Sequence, residues 1–165
     1  MPNLYLIRHG IAADRATSAK DEERPLTAEG DRKTRQVAAQ LKTLKLRFDR
    51  ILSSPLVRAR QTAEILQSGG LSSRLEIFPP LAPEGDLRQW LDWYGNLDKS
   101  GGGDLALVGH QPDLGNWAES LIWGEVREVL VVKKAGIIGL ALPETGSPVG
   151  NARLFWLTPP KFLLG

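Results

Sequence analysis

The chain has 165 residues, 42% of them hydrophobic and 24% charged, which predicts one soluble globular domain spanning 1–165. Its net charge of +2 is spread over interleaved acids and bases, a pattern unlike the broad cationic face that binds nucleic acid. The lack of cysteine excludes disulfides, thiol catalysis and cysteine-ligated zinc. Two histidines are too few for a histidine-rich metal site, although carboxylates alone could still hold Mg²⁺.

No stretch of the sequence reaches the roughly 18 apolar residues that a membrane span needs. Residues 1–8 lack the basic and apolar regions of a signal peptide. We therefore expect a cytoplasmic protein whose partners include neither nucleic acid nor a membrane.

The first half of the chain alternates strand and helix patterns. A buried strand at 3–7 is followed by a polar loop at 11–26 and by a helix that Thr27 caps. A second short strand precedes a helix for which Ser54 is the predicted cap and Pro55 the first residue. The predicted core stripes are Val37, Leu41 and Leu44 in the first helix and Leu56, Ala59, Ala63 and Leu66 in the second.

The second half continues the alternation. A strand at 75–78 precedes a helix at 86–97, and a glycine-rich break at 101–103 precedes a buried strand at 105–108. This order predicts an α/β domain with a largely parallel sheet. After an amphipathic helix that carries Leu114, Trp117, Ala118 and Leu121 on one face, further strand candidates lie at 129–132, 137–142 and 153–157.

Each of the two histidines comes just past an apolar strand, where catalytic groups collect in α/β sheets. In Arg8-His9-Gly10, the imidazole could attack phosphorus while the arginine holds the phosphoryl group. The competing interpretation is a chance tripeptide at a strand end. His110, in the motif at 109–112, could stabilise the oxygens of a transferring phosphoryl group, or it could be structural.

Arg58 is expected in about the second turn of the helix that Ser54 opens. An anion near that helix start would gain from free N–H groups, the helix dipole and the guanidinium together. The alternative is a solvated arginine on a helix face. Arg60, two positions on, would point elsewhere and serves as the comparison.

Four motifs occur in chain order. They are Arg-His-Gly-Ile-Ala at 8–12, Arg-Pro-Leu-Thr-Ala-Glu-Gly at 24–30, Ser-Pro-Leu-Val-Arg-Ala-Arg-Gln-Thr-Ala at 54–63 and Val-Gly-His-Gln-Pro-Asp at 108–113. Together they resemble the histidine phosphatase superfamily, and more particularly its small SixA-type phosphohistidine phosphatases. The resemblance covers residues 4 to about 122. It implies a three-layer α/β/α sandwich with a mostly parallel central sheet.

The same resemblance implies a role for each matching residue. His9 would be the nucleophile that becomes phosphohistidine. Arg8 and Arg58 would bind the phosphoryl oxygens, and His110 would stabilise the transition state. Water would then hydrolyse the phospho-enzyme without a metal or other cofactor, because two arginines can neutralise a phosphate dianion.

The proton donor is less sharply defined. Larger relatives place a glutamate between the arginine helix and the second histidine. Glu84 is the first candidate, since its loop could reach over the site, and Asp86 is the alternative; either could equally be a solvated loop carboxylate, with solvent supplying the proton. The sequence also leaves open whether Arg15, Lys20 or Arg24 adds charge at the cleft mouth.

About thirty residues separate the arginine helix from the glycine break, too few for a large lid. The resemblance and this open site together imply a metal-independent phosphatase that acts through phospho-His9 on phosphohistidine of a partner protein, such as a phosphorelay domain. The alternatives are a hydrolase of small phosphate monoesters or sugar phosphates, and a non-catalytic module that binds a phosphorylated ligand.

Overall fold

The computed structural model describes residues 1–17, 20–100 and 102–164. Gly101, part of the predicted glycine break, lies outside the described residues. Among the described helices, none is long and apolar enough to cross a bilayer. The elements are β1 (Asn3–Arg8), α1 (Ala28–Thr43), β2 (Arg50–Ser53), α2 (Val57–Ser68), β3 (Leu75–Ile77), α3 (Leu87–Gly95), β4 (Leu105–Gly109), α4 (Asp113–Trp123), β5 (Ile137–Ala141) and β6 (Arg153–Thr158).

These strands form one six-stranded sheet in the order β3-β2-β4-β1-β5-β6. The four strands from β3 to β1 are parallel, whereas β5 and β6 extend the sheet in antiparallel fashion. The register pairs Arg8 with Gly109 and Ser53 with Val108, so β1, β4 and β2 end side by side. The residues that follow these three strands are thereby brought to one edge of the sheet.

The sheet separates two hydrophobic cores. Leu4 and Leu6 of β1 pack with residues of α3 and α4, among them the fully buried Trp90. Tyr5 and Ile7 point to the opposite face and pack with α1 and α2. This strict alternation is what a strand buried on both faces requires. The predicted three-layer α/β/α sandwich with a mostly parallel sheet is confirmed.

The predicted cap of α1 is confirmed, because Thr27 Oγ1 accepts the Gly30 N–H at 2.9 Å. The predicted core position of Leu44 is wrong: α1 ends at Thr43, and Leu44 is 48% exposed. The predicted start of the second helix is also wrong, since α2 begins at Val57 rather than at residue 55.

Ser54 explains the late start of α2. Its hydroxyl lies 2.7 Å from Nε2 of His110 and accepts the Leu56 N–H at 3.2 Å, so it holds a short turn that precedes the helix. Arg58 therefore lies in the first turn of α2 rather than in the second.

The strand predicted at 129–132 is absent from the described structure. The carboxylate of Glu119, buried on α4, accepts the backbone N–H groups of Arg127, Val129 and Leu130. These bonds satisfy the donors that a strand would have offered to a neighbour in the sheet. An apolar segment is thus fixed as an irregular loop over the end of β1.

We expect Thr27→Ala to lower the free energy of unfolding by about 1 kcal/mol, because the Gly30 N–H loses its capping acceptor. Urea unfolding followed by far-UV circular dichroism measures the change. Thr43→Ala, at the exposed far end of the same helix, is the matched control and should stay within about 0.5 kcal/mol of wild type. Equal losses in the two variants would contradict the capping role.

Candidate active site

A cavity of about 500 Å³ opens at the edge where β1, β2 and β4 end. Its walls include all four residues for which the sequence predicts phosphate binding: Arg8, His9, Arg58 and His110. Three segments far apart in the chain supply them, so the parallel register of the sheet is what brings them together.

His9 follows directly on β1 and is buried. Its Nδ1 lies 2.7 Å from the Gly10 carbonyl oxygen, which can only accept, so Nδ1 carries the hydrogen and Nε2 holds the lone pair. The pKa of His9 is lowered to about 3, chiefly by burial and also by the nearby His110, Arg58 and Arg8, against the raising effect of the Gly10 bond. The imidazole is therefore neutral at neutral pH.

Gly10 lets the chain pass close to α1 and α2. A Cβ at this position would collide with Thr34 Oγ1 on α1. The Gly10 N–H donates to Thr62 Oγ1 at 3.0 Å, and that hydroxyl in turn donates to the Arg58 carbonyl oxygen. Thr62 thus ties the His9 loop to the turn of α2 that carries Arg58.

His110 follows β4 and is also buried, with its ring centroid 5.2 Å from that of His9. Because the Ser54 hydroxyl already accepts the Leu56 N–H, it can donate to Nε2 of His110 and leave the hydrogen on Nδ1. Within the described chain, this buried Nδ1 has no hydrogen-bond partner. Burial lowers the pKa of His110 to about 4, and the charge of Arg58 contributes. His110 can therefore offer an N–H to a bound oxygen.

The two arginines keep donors free. Arg8 donates from Nη1 to the Val132 carbonyl oxygen at 3.2 Å, and Arg58 donates to the backbone and carboxylate oxygens of Asp21 at 2.9 and 3.2 Å. The buried Nε atoms of both arginines have no partner among the described residues. Burial lowers the pKa of each, yet both guanidinium groups remain charged. Two cations with unused donors make this cavity an anion site.

Further charged side chains line the cavity besides the four predicted residues. Arg15 and Arg24 line the cavity, as do Asp21 and Lys134, whereas Lys20 is not among the lining residues. Asp21 accepts from Arg24 Nε at 2.8 Å as well as from Arg58. Although burial raises the pKa of Asp21, Arg58 and Arg24 together hold it below its usual range. Nothing in the acidic run at 21–23 distinguishes Asp21 from its neighbours.

The two candidate proton donors have different surroundings. Glu84 lines the cavity and is exposed, and its backbone adopts a left-handed φ of 68°. Asp86 instead caps α3, accepting the Arg88 N–H at 2.9 Å and pairing with the Arg88 guanidinium at 3.0 Å. These bonds lower the pKa of Asp86, and it is not among the residues that line the cavity.

The comparison residue Arg60 is not among the residues that line the cavity, as predicted. It lies on the exposed side of α2 and pairs with Glu64 at 3.5 Å. Among the described histidine and carboxylate side chains, no group of three is close enough to hold a metal ion.

Comparison with known proteins agrees with this geometry. A sequence model of the histidine phosphatase superfamily (branch 1) matches residues 4–82. Phosphohistidine phosphatase SixA of Escherichia coli (strain K12) is 32% identical over 149 residues, which cover 90% of each chain. This chain belongs to the histidine phosphatase superfamily.

Two further matches cover nearly the whole of this chain. A solved structure of the protein histidine phosphatase SixA complexed with tungstate is 31% identical and gives a TM-score of 0.83 over 98% of this chain and 99% of that one. An uncharacterized protein of Picosynechococcus sp. is 49% identical over 98% of both chains. The SixA-type resemblance noted in the sequence is confirmed.

Both imidazoles are expected to stay neutral as the pH falls from 8 to 5, because burial depresses the pKa of His9 to about 3 and of His110 to about 4. In the unfolded chain the two histidines bind protons near pH 6.5. The contribution of the neutral imidazoles to the free energy of unfolding is therefore complete above that pH and is lost as the pH falls toward 4. Imidazole ¹⁵N chemical shifts measure the titration directly, since the chain has only two histidines. A midpoint near 6.5 for His9 would contradict its buried, neutral state.

Proposed function

We propose that this histidine phosphatase works without a metal, that His9 is its nucleophile, and that its natural substrate is phosphohistidine on a partner protein. One observation carries the proposal: a neutral His9 whose Nδ1 is bonded to the Gly10 carbonyl oxygen, so that Nε2 is free to attack. Arg8 and Arg58 line the same cavity, and the Nε atom of each has no hydrogen-bond partner among the described residues.

The reaction begins when a phosphoryl dianion enters the cavity. Arg8 and Arg58 bind its oxygens through charge-assisted hydrogen bonds, which replace the neutralising charge that a metal supplies in other phosphoryl-transfer sites. For Arg58, the incoming oxygens compete with the carboxylate of Asp21. Arg15, Arg24 and Lys134 add positive charge at the walls and favour entry of the anion.

Transfer follows in two displacements. Nε2 of His9 forms a bond to phosphorus while the bond to the leaving group breaks, which yields phospho-His9. The Nδ1–H of His110 stabilises the charge on the equatorial oxygens as they pass through the transition state. Water then attacks phosphorus opposite the bond to His9, that bond breaks with its electron pair returning to Nε2, and orthophosphate leaves as the proton of the water passes to solvent.

The shape of the site supports a protein-borne substrate. Between α2 and β4 the described chain contains β3, α3 and short connections, and none of them adds a covering domain. A phosphorylated side chain on a folded partner can approach such a cavity, whereas an enclosed pocket would exclude it. The relative solved with tungstate is a protein histidine phosphatase, which agrees with this choice. A partner of this kind would be met in the cytoplasm.

A second candidate is hydrolysis of small phosphate monoesters. The leaving group of a phosphate monoester is an alkoxide, which needs a proton donor more than an imidazole leaving group does. Glu84, the first donor considered from the sequence, lies in the cavity wall and could serve such a reaction. A non-catalytic phosphate-binding module is the third candidate. Comparison of wild type with His9→Ala distinguishes it from both enzymes.

His9→Ala is expected to abolish turnover, and Arg58→Ala to lower kcat/KM by roughly 10²–10³-fold or more, because a charge contact in the transition state is lost. The matched control is Arg60→Ala, which removes an arginine from the exposed side of the same helix and should leave turnover unchanged. Release of orthophosphate in the presence of a metal chelator is the measurement. Near-normal turnover by His9→Ala would rule out the covalent mechanism.

Phosphohistidine on a protein is expected to be hydrolysed faster than an aryl phosphate at equal concentration. Wild type and His9→Ala receive a phosphohistidine-bearing protein and p-nitrophenyl phosphate under the same metal-free conditions. Comparable or faster hydrolysis of the ester would favour small metabolites as substrates. Tight phosphate binding without release from either substrate would favour the binding module.

A further inference from the structure

A carboxylate not considered from the sequence lies in the wall of the same cavity. Asp113 is the first residue of α4 and shares the cavity with His9 and His110. It is partly buried, and the residue that follows it, Leu114, is fully packed in the core. A side chain on the first turn of a packed helix is held more precisely than one on a loop.

Asp113 is coupled to Glu84 across the cavity wall. The Glu84 N–H donates to Asp113 Oδ2 at 2.7 Å, which leaves Oδ1 for a proton. Burial raises the pKa of Asp113 above its usual range; the Glu84 N–H opposes this shift, and the negative charge of Glu84 adds to it. Asp86, by contrast, is held ionised by Arg88. Of the carboxyl groups near the site, Asp113 has the surroundings that best retain a proton.

We propose that Asp113 is the catalytic acid and base of this site, with Glu84 as the neighbour that positions it. The inference rests on the proposed function. In the first displacement, the Asp113 proton passes to the oxygen or nitrogen atom that leaves phosphorus, as His9 Nε2 forms its bond. In the second, the resulting carboxylate takes a proton from the attacking water, the bond from phosphorus to His9 breaks, and the carboxyl group is restored.

This assignment gives Glu84 a different role from the one expected of it. Its side chain is exposed, and its backbone, held at a φ of 68°, points the N–H at Asp113. Glu84 therefore acts through Asp113, and removal of its charge should change the rate less than removal of the Asp113 proton.

The test uses two aryl phosphates whose leaving groups differ in their need for a proton, phenyl phosphate and 2,4-dinitrophenyl phosphate. Asp113→Asn keeps an acceptor oxygen for the Glu84 N–H and removes the transferable proton. We expect this variant to lose about 10²-fold or more in kcat on phenyl phosphate, and far less in the rate of enzyme phosphorylation by the dinitrophenyl ester. Glu84→Gln keeps the backbone N–H that positions Asp113 and removes only the charge, so it should cause a smaller loss of the same kind. Asp86→Asn, which lies outside the cavity lining and keeps an acceptor for the Arg88 N–H, is the matched control and should leave kcat on both esters unchanged. Urea unfolding of each variant confirms its fold.

The outcomes separate this proposal from the one on which it rests. Equal losses by Asp113→Asn in the rate at which the two esters phosphorylate the enzyme, or a leaving-group-dependent loss of that rate in Glu84→Gln but not in Asp113→Asn, would overturn the role of Asp113 while phospho-His9 is still trapped in wild type. Slow dephosphorylation of a normally formed phospho-His9 in Asp113→Asn would support the base half of the role. A wild type that releases no orthophosphate from either ester or from a phosphohistidine-bearing protein, and that traps no phosphate on His9, would overturn both proposals.

Discussion

The burial of two guanidinium cations beside two uncharged imidazoles is the constraint on which this site depends. Arg8 and Arg58 each lower the pKa of His9 and of His110, and the Nε of each has no partner in the part of the chain that the structure describes. Such an arrangement costs free energy until an anion enters, because buried donors and like charges are left unsatisfied. An anion that enters the cavity offsets this cost, because its charge opposes that of both guanidinium groups.

Structural elements outside the cavity hold that arrangement in place. The buried carboxylate of Glu119 fixes the loop at 127–130, and the adjoining Val132 carbonyl oxygen anchors Arg8. On the other side, Thr62 joins the Gly10 backbone to the Arg58 backbone. Each arginine is thus positioned by a buried polar group that does not itself reach the cavity, an arrangement typical of preorganised sites.

The largely parallel sheet and the positions of the principal site residues could be predicted because these features are local, whereas the three layers followed from the family resemblance. Apolar runs mark the strands, and the residues just after them lie at the edge of the sheet that holds the site, independent of the conformation of the loops. The errors came from contacts between distant residues. Ser54 meets His110 across 56 positions, Asp21 meets Arg58 across 37, and Glu119 fixes a segment that reads as a strand. Local propensity carries no record of such partners.

The carboxyl group in the cavity wall bears on the choice between nitrogen and oxygen leaving groups. Phosphohistidine carries a second ring nitrogen that solvent can protonate, so its imidazole departs readily from an open site. An alkoxide has no such route and depends on a donor held beside the breaking bond. Burial raises the pKa of Asp113 in the cavity wall, and a site that uses Asp113 as we propose is chemically equipped for either bond. For the proposed protein substrate, specificity then comes from the charged residues that line the cavity, among them Arg15 and Lys134, and from the partner surface that meets them.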